Sequence, residues 1–207
     1  MPTPVAVRRG SRLTPEREAE VYTGVLDLLR EVGYEALTMD GLAARGHCSK
    51  ATLYRQWGGK AELIARALRH EKPVNAGDID TGSLRGDLRA LLTLQDDRQM
   101  ERDCALMRAL AMALHGNPDL LHALQDVLIG PERSGLDVLL RRAADRGEIR
   151  ADNPALPYLI QLLMGAFVTR EVLEGVPPTQ TYLLGFLDAV ILPALGVRPG
   201  SDPAPAR

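Results

Sequence analysis

Apolar residues recur three and four positions apart along most of this chain, and the interruptions fall at glycine, proline and capping residues. Thr14 can cap a first helix, Pro15 suits its first position, and Glu16 and Glu18 favour its N-terminal end. Tyr22, Val25, Leu26 and Leu29 then mark one face, and Gly33 ends the helix with Tyr34 folding back on Leu29. Thr38 caps a short second helix carrying Met39, Leu42 and Ala43. Gly46, His47 and Cys48 form a turn, and Ser49 caps a third helix from Lys50 to about Trp57. Gly58-Gly59 breaks the chain before a fourth helix, Lys60 to about His70, with Leu63, Ile64, Ala67 and Leu68 on one side.

The stretch 73–82 (PVNAGDIDTG) is poor in apolar residues and reads as a domain boundary. Beyond it Ser83 caps a helix to about Asp97, and another runs from about Arg102 to His115. The next extends from Pro118 towards Arg146 with a bend expected at Gly130-Pro131. Asn153 caps a helix to Glu174, and a last helix runs from about Thr179 to Leu195. The organisation expected is a flexible basic arm (1–12), a helix-turn-helix domain with a linking fourth helix (13–72), a larger helical domain (73–195) and a disordered tail (196–207).

Composition supports an all-helical chain. Aromatic residues are only 4%, so Leu, Ala, Val and Ile must fill the core, and no alternating Val, Ile or Thr run is bounded by turns. The net charge of −2 is uneven: residues 1–60 hold nine Lys and Arg against seven Asp and Glu. Arg8, Arg9 and Arg12 lie in an acid-free start. A basic head on an acidic body suits a protein that touches phosphate with one end. Cys48 and Cys104 make no metal-ligand pattern, and neither a metal nor a cofactor is expected. No secretory leader is evident and no apolar segment reaches the roughly 20 residues of a membrane span, so the cytoplasm is the expected location.

Three short helices in 45 residues, the second and third joined by a tight turn, form a helix-turn-helix. Leu53 and Trp57, four apart, point back into the platform built by the first two helices. Lys50, Ala51, Thr52, Tyr54, Arg55 and Gln56 are left facing outward, with a cation, hydroxyls, a methyl and an amide for phosphates and base edges. Lys60 adds a cation beside free helical amides, which suits a phosphate. Gly58-Gly59-Lys60 is no Walker loop, because Tyr54 and Ala61 stand where Gly and Ser or Thr are needed. Asp96, Asp97 and Glu101 read as a solvated helix end rather than a magnesium site. Cys48 reads as a structural thiol, and His115 and His122 as surface groups.

The stretch 38–60, TMDGLAARGHCSKATLYRQWGGK, resembles the TetR/AcrR family of bacterial transcriptional regulators. Its specific pieces are Gly33-Tyr34, Thr38, Leu42-Ala43, Ser49, Thr52-Leu53-Tyr54, Trp57, Lys60 and Leu63. The resemblance covers residues 13–70; past Pro73 only helix number and order are similar. It implies a homodimer of about nine helices per chain whose C-terminal domain binds a small molecule. It also implies that Lys50, Ala51 and Tyr54 meet bases, while Thr38, Thr52, Gln56 and Lys60 hold the phosphates and Arg55 does either, with Ser49 also at the DNA-binding surface. The departures are His47 at the turn glycine, Cys48 for a small hydrophobe, Trp57 for Phe, Asp40 for a basic residue and Gly41 inside helix two, which costs about 1 kcal/mol.

Two late stretches, Tyr158 to Val168 and Tyr182 to Leu195, are apolar nearly all round and must be buried on every side. That predicts a four-helix interface between two copies, expected at Leu159, Leu162, Ala166, Leu183, Phe186, Leu187 and Val190. An effector pocket is expected at Met100, Cys104, Met107, Tyr158, Leu163, Met164 and Phe167. The expected function is a repressor that binds a palindromic double-stranded operator as a dimer and leaves it when a small molecule binds. The alternatives are an activator or architectural DNA binder without a ligand, and a helical enzyme or carrier with a vestigial helix-turn-helix.

Overall fold

Most helix starts in this chain are fixed by side-chain caps, and the capping residues set the boundaries there. The computed structural model describes residues 13–72 and 74–197; the arginine arm and all but two residues of the predicted tail lie outside them. The described residues form nine helices and no strand. These are α1 (Pro15–Ala36), α2 (Met39–Arg45), α3 (Lys50–Trp57), α4 (Lys60–Glu71), α5 (Leu84–Leu92), α6 (Asp97–Leu114), α7 (118–145), α8 (Leu159–Glu174) and α9 (180–194). Thr14, Thr38, Ser49, Ser83, Asp96 and Thr179 each accept a backbone N–H at the start of a helix.

Boundaries differ from expectation where a cap was assigned to the wrong side. Asp96 does not lie inside α5: its Oδ1 accepts from Gln99 N–H at 2.7 Å, so α5 stops at Leu92 and α6 starts at Asp97. Asn153 does not cap α8. Its Oδ1 accepts from Ala155 N–H at 2.8 Å in a local turn, and a 3-10 turn (Leu156–Tyr158) precedes the helix.

No sharp break occurs at Gly130-Pro131. Instead α7 widens into a π-helical turn, Gln125–Ile129, and Gly130 N–H bonds to Gln125 O five residues back. α9 does the same at Leu187–Ile191, two residues before Pro193. A proline lacks its N–H and crowds the carbonyl four residues earlier; one extra residue in the preceding turn relieves both faults without ending the helix.

The core has two main parts. One joins α1, α2, α3 and α4 to α6 and α7, with Leu26, Leu29, Leu53, Leu63 and Ile64 packed beside Leu106, Leu110, Leu120 and Leu124. The other joins α5, the second half of α7, α8 and α9 through Leu84, Leu88, Leu139, Leu159, Leu187 and Ile191. Val197, expected in a disordered tail, is buried in this second part, and its N–H bonds to Leu192 O at 2.9 Å.

The expected boundary at 73–82 is packed down in the part described. Ala76 is fully buried, and a Cβ at Gly135 of α7 would collide with Asn75 Oδ1, so the two backbones meet because a glycine is there. Asp87, fully buried, accepts from Thr81 N–H at 2.6 Å and Thr81 Oγ1–H at 2.7 Å and faces Arg146 at 3.4 Å. Buried carboxyl oxygens need such hydrogen-bond partners to offset the loss of water.

Candidate nucleic-acid interface

Recognition by α3 requires one face to be immobile and the other free. Leu53 and Trp57 supply the first condition, both buried. Trp57 Nε1–H donates to the Tyr22 hydroxyl at 3.0 Å, and that hydroxyl donates to Glu18 at 2.6 Å. The Tyr22 and Trp57 rings meet edge-on with centroids 5.7 Å apart. Burial, with the Glu18 carboxylate adding to it, pushes the Tyr22 hydroxyl up to about 12, so it stays a donor.

The second condition is met by Lys50, Ala51, Tyr54 and Arg55, all exposed, with Thr52 and Gln56 half-buried at the flanks. Tyr54 leaves 47% of its surface in solvent, which a ring does at some hydrophobic cost unless another surface covers it.

The turn before α3 is held from outside. His47 takes φ 46°, alone among the described non-glycine residues in the left-handed region. Arg17 of α1 donates to Gly46 O at 2.7 Å and His47 O at 3.0 Å, while Cys48 N–H bonds to Ala43 O at 3.0 Å. Burial raises the Cys48 thiol, which keeps it protonated and unreactive. No signal in the sequence pointed to the clamp by Arg17; it needs the third dimension.

Two side chains have partners that the sequence did not suggest. Lys50 Nζ donates to Asp40 of α2 at 2.8 Å, and this hydrogen bond raises its pKa. Both ends of that pair are exposed, so it orients the lysine more than it stabilises the fold. Lys60, expected among the phosphate contacts, is also tied to the head. Its Nζ donates to Tyr34 O at 3.0 Å and Leu37 O at 3.1 Å and lies 4.0 Å from the Tyr34 ring centroid. Two of three ammonium hydrogens are therefore committed to carbonyls at the end of α1, where Tyr34 O also accepts from Leu37 N–H at 3.2 Å. Thr38 and Ser49 hydroxyls each accept a capping N–H, and the Ser49 and Thr52 hydroxyls share a hydrogen bond at 2.9 Å.

A cavity of about 660 Å³ lies in the body, lined from α4, α5, α6, α7, α8 and α9. Met100, Met107, Leu163, Met164 and Phe167 of the expected pocket line it. Cys104 and Tyr158 do not. Cys104 is buried with its Sγ 3.6 Å from Phe167 O, and Tyr158 stands in solvent. The polar wall was missed: Glu71 and Glu132 reach it from α4 and α7, while Gln95, Gln99 and Asp103, four apart, come from α6 and the turn before it.

The expected dimer face needs similar correction. Leu159, Ala166, Leu183 and Leu187 are buried within the chain, and Leu162 and Phe186 pack partly against its core. Of the seven, Val190 is exposed. The outward surface of α8 instead carries Gln161, Thr169 and Val172, with Tyr158 exposed just before it and Thr181, Gly185 and Ala189 exposed on α9. Residues Leu156–Glu174 form a helical run of 19 residues that is long and apolar enough to cross a membrane, contrary to expectation. Among the described residues no His, Cys, Asp and Glu group is placed to hold a metal.

Two family profiles match the chain: "Bacterial regulatory proteins, tetR family" over residues 25–67, and "Tetracyclin repressor-like, C-terminal domain" over residues 78–190. An HTH-type transcriptional regulator of Mycobacterium bovis is 36% identical over 179 residues, 86% of this chain and 88% of that protein. A DNA-binding transcriptional repressor TetR of Mycobacteroides abscessus is 33% identical over 89% of this chain and 96% of that protein. A TetR family transcription regulator solved by crystallography superposes with a TM-score of 0.63 at 28% identity, covering 89% of this chain and all of the other. The multidrug binding protein EbrR, crystallised with imidazole, shares the fold at a TM-score of 0.59 and 20% identity, covering 94% of this chain and all of the other.

Proposed function

Because the chain belongs to the TetR family of bacterial transcriptional regulators, and not to a family of enzymes, we propose that it is a homodimeric repressor released from a palindromic operator by a small molecule. The observation that carries this reading is the outer face of α3, presented by an anchored underside and a clamped turn. Lys50, Ala51 and Tyr54 meet base edges and thymine methyls in the major groove. Thr38, Ser49, Thr52 and Gln56 serve the phosphates, and Arg55 serves either. The cell's DNA is the target, so the protein works in the cytoplasm.

Pairing of two chains through the outward faces of α8 and α9 supplies the second recognition helix. A helix apolar nearly all round, with only two of its residues buried within the chain, is stabilised by a partner, and Gly165 and Gly185, with open space at their missing Cβ, permit close approach. Two heads related by a two-fold axis read half-sites one helical turn or a multiple apart. The cavity supports the sensing half of the reading over a regulator without an effector. Leu68, Glu71 and Lys72, at the end of α4, line it, and Lys60, at the other end of the same helix, clamps the head. An effector that binds one head spacing better than the other therefore shifts operator affinity. The repressor named among the relatives favours repression over activation.

Selection of bound sequences from random duplex DNA tests the proposal. The expected product is a two-fold symmetric sequence bound by two chains. Enrichment of no sequence would count against operator recognition.

A further inference from the structure

The cavity is apolar over most of its wall, and the charged residues half-buried along it are all acidic. Three carboxylates, Glu71 of α4, Asp103 of α6 and Glu132 of α7, are half-buried along it. The two cations among the lining residues, Lys72 and Arg102, are both exposed. Glu71 is held by Arg30 of α1 through oxygens at 2.9 and 3.0 Å, and Glu132 by Arg69 of α4 at 2.9 Å. Asp103 differs. It accepts from Gln95 Nε2 at 3.0 Å and Gln99 Nε2 at 2.7 Å, two neutral amides that aim the carboxylate without cancelling its charge.

Among the described residues no ion pair reaches Asp103. A carboxylate orientated beside an apolar wall and left without a paired cation is electrostatically incomplete, and a positive ligand completes it. We infer that the effector is an organic cation with an apolar body, its ammonium or amidinium on Asp103 and its body against Met107, Met164 and Phe167. Those soft side chains suit a cation as well as a hydrocarbon. An anion of the same shape meets three carboxylates. The inference rests on the sensing role proposed above and adds a route for it. Glu71 and Glu132 tie α4 to α1 and to α7, so a bound cation competes with Arg30 and Arg69 for the carboxylates that fix the end of α4.

The test is calorimetric titration of the full-length protein with three compounds sharing one body: 4-phenylbutylammonium, 4-phenylbutanol and 4-phenylbutyrate. The ammonium compound should bind at least tenfold more tightly than the alcohol, with the carboxylate weakest, and it should weaken operator binding. Asp103→Asn should cut the preference of cation over alcohol to under threefold, and Asp103→Glu should retain it. Thermal unfolding of both variants separates this from misfolding. Equal binding of all three compounds, or a preference for the carboxylate, overturns the charge assignment and leaves ligand sensing standing. Binding of none overturns both.

Discussion

Helices α3 and α8 face the same demand in opposite ways. α3 has eight residues with two anchors inward and a polar set outward, so each side chain's destination follows from its position in the period. α8 has sixteen residues that are apolar on nearly every side, and only Leu159 and Ala166 are buried within the chain. An amphipathic helix states its own orientation. A uniformly apolar one states only that something must cover it, and the burial of Leu159, Ala166, Leu183 and Leu187 inside the protomer shows how a reading without period goes astray.

That contrast can be broken from either side. The largest effect is expected at the α3 anchor: Leu53→Ala should lower stability by about 2–5 kcal/mol and abolish operator binding with it. Chemical denaturation with a parallel binding titration measures both. On α8, Val172→Arg places a charge at the proposed interface and leaves the protomer core intact. Sedimentation equilibrium should then show a dimer dissociation constant raised at least a hundredfold with circular dichroism unchanged. A variant that stays dimeric would move the interface elsewhere.

Lys60→Ala sharpens the boundary between holding DNA and holding the fold. Loss of two hydrogen bonds to the carbonyls at the end of α1 should destabilise the protein by about 1–3 kcal/mol. The salt dependence of binding should keep its slope; a slope reduced by about one would place Lys60 among the phosphate contacts. The smallest effect is expected at Asp40→Asn, which frees Lys50 and removes a negative charge beside the groove. Affinity for random duplex should rise about two- to fivefold, read by fluorescence anisotropy.

How much was legible follows the same division. The head could be read closely because its information is local: Thr14, Thr38 and Ser49 cap the helices they were expected to cap, and Leu53 and Trp57 turn inward. Asp96 was misassigned because a short acidic stretch can end one helix or begin the next, and only its bond to Gln99 N–H decides. The π-helical turns of α7 and α9 were not legible, since a proline announces a fault in the hydrogen-bond ladder but not how it is repaired. The carboxylates of the cavity escaped notice because Glu71, Asp103 and Glu132 sit on three helices and meet only when the bundle is assembled.

The account stands on the outer face of α3, and one side chain tests it with least ambiguity. Tyr54 projects from that face and is not among the residues of the core, so Tyr54→Ala should leave the unfolding free energy within about 0.5 kcal/mol. Its affinity for the selected operator, measured by anisotropy against the unaltered protein, should fall at least tenfold. Equal affinity of the two proteins for that duplex would contradict the placement of α3 in the groove.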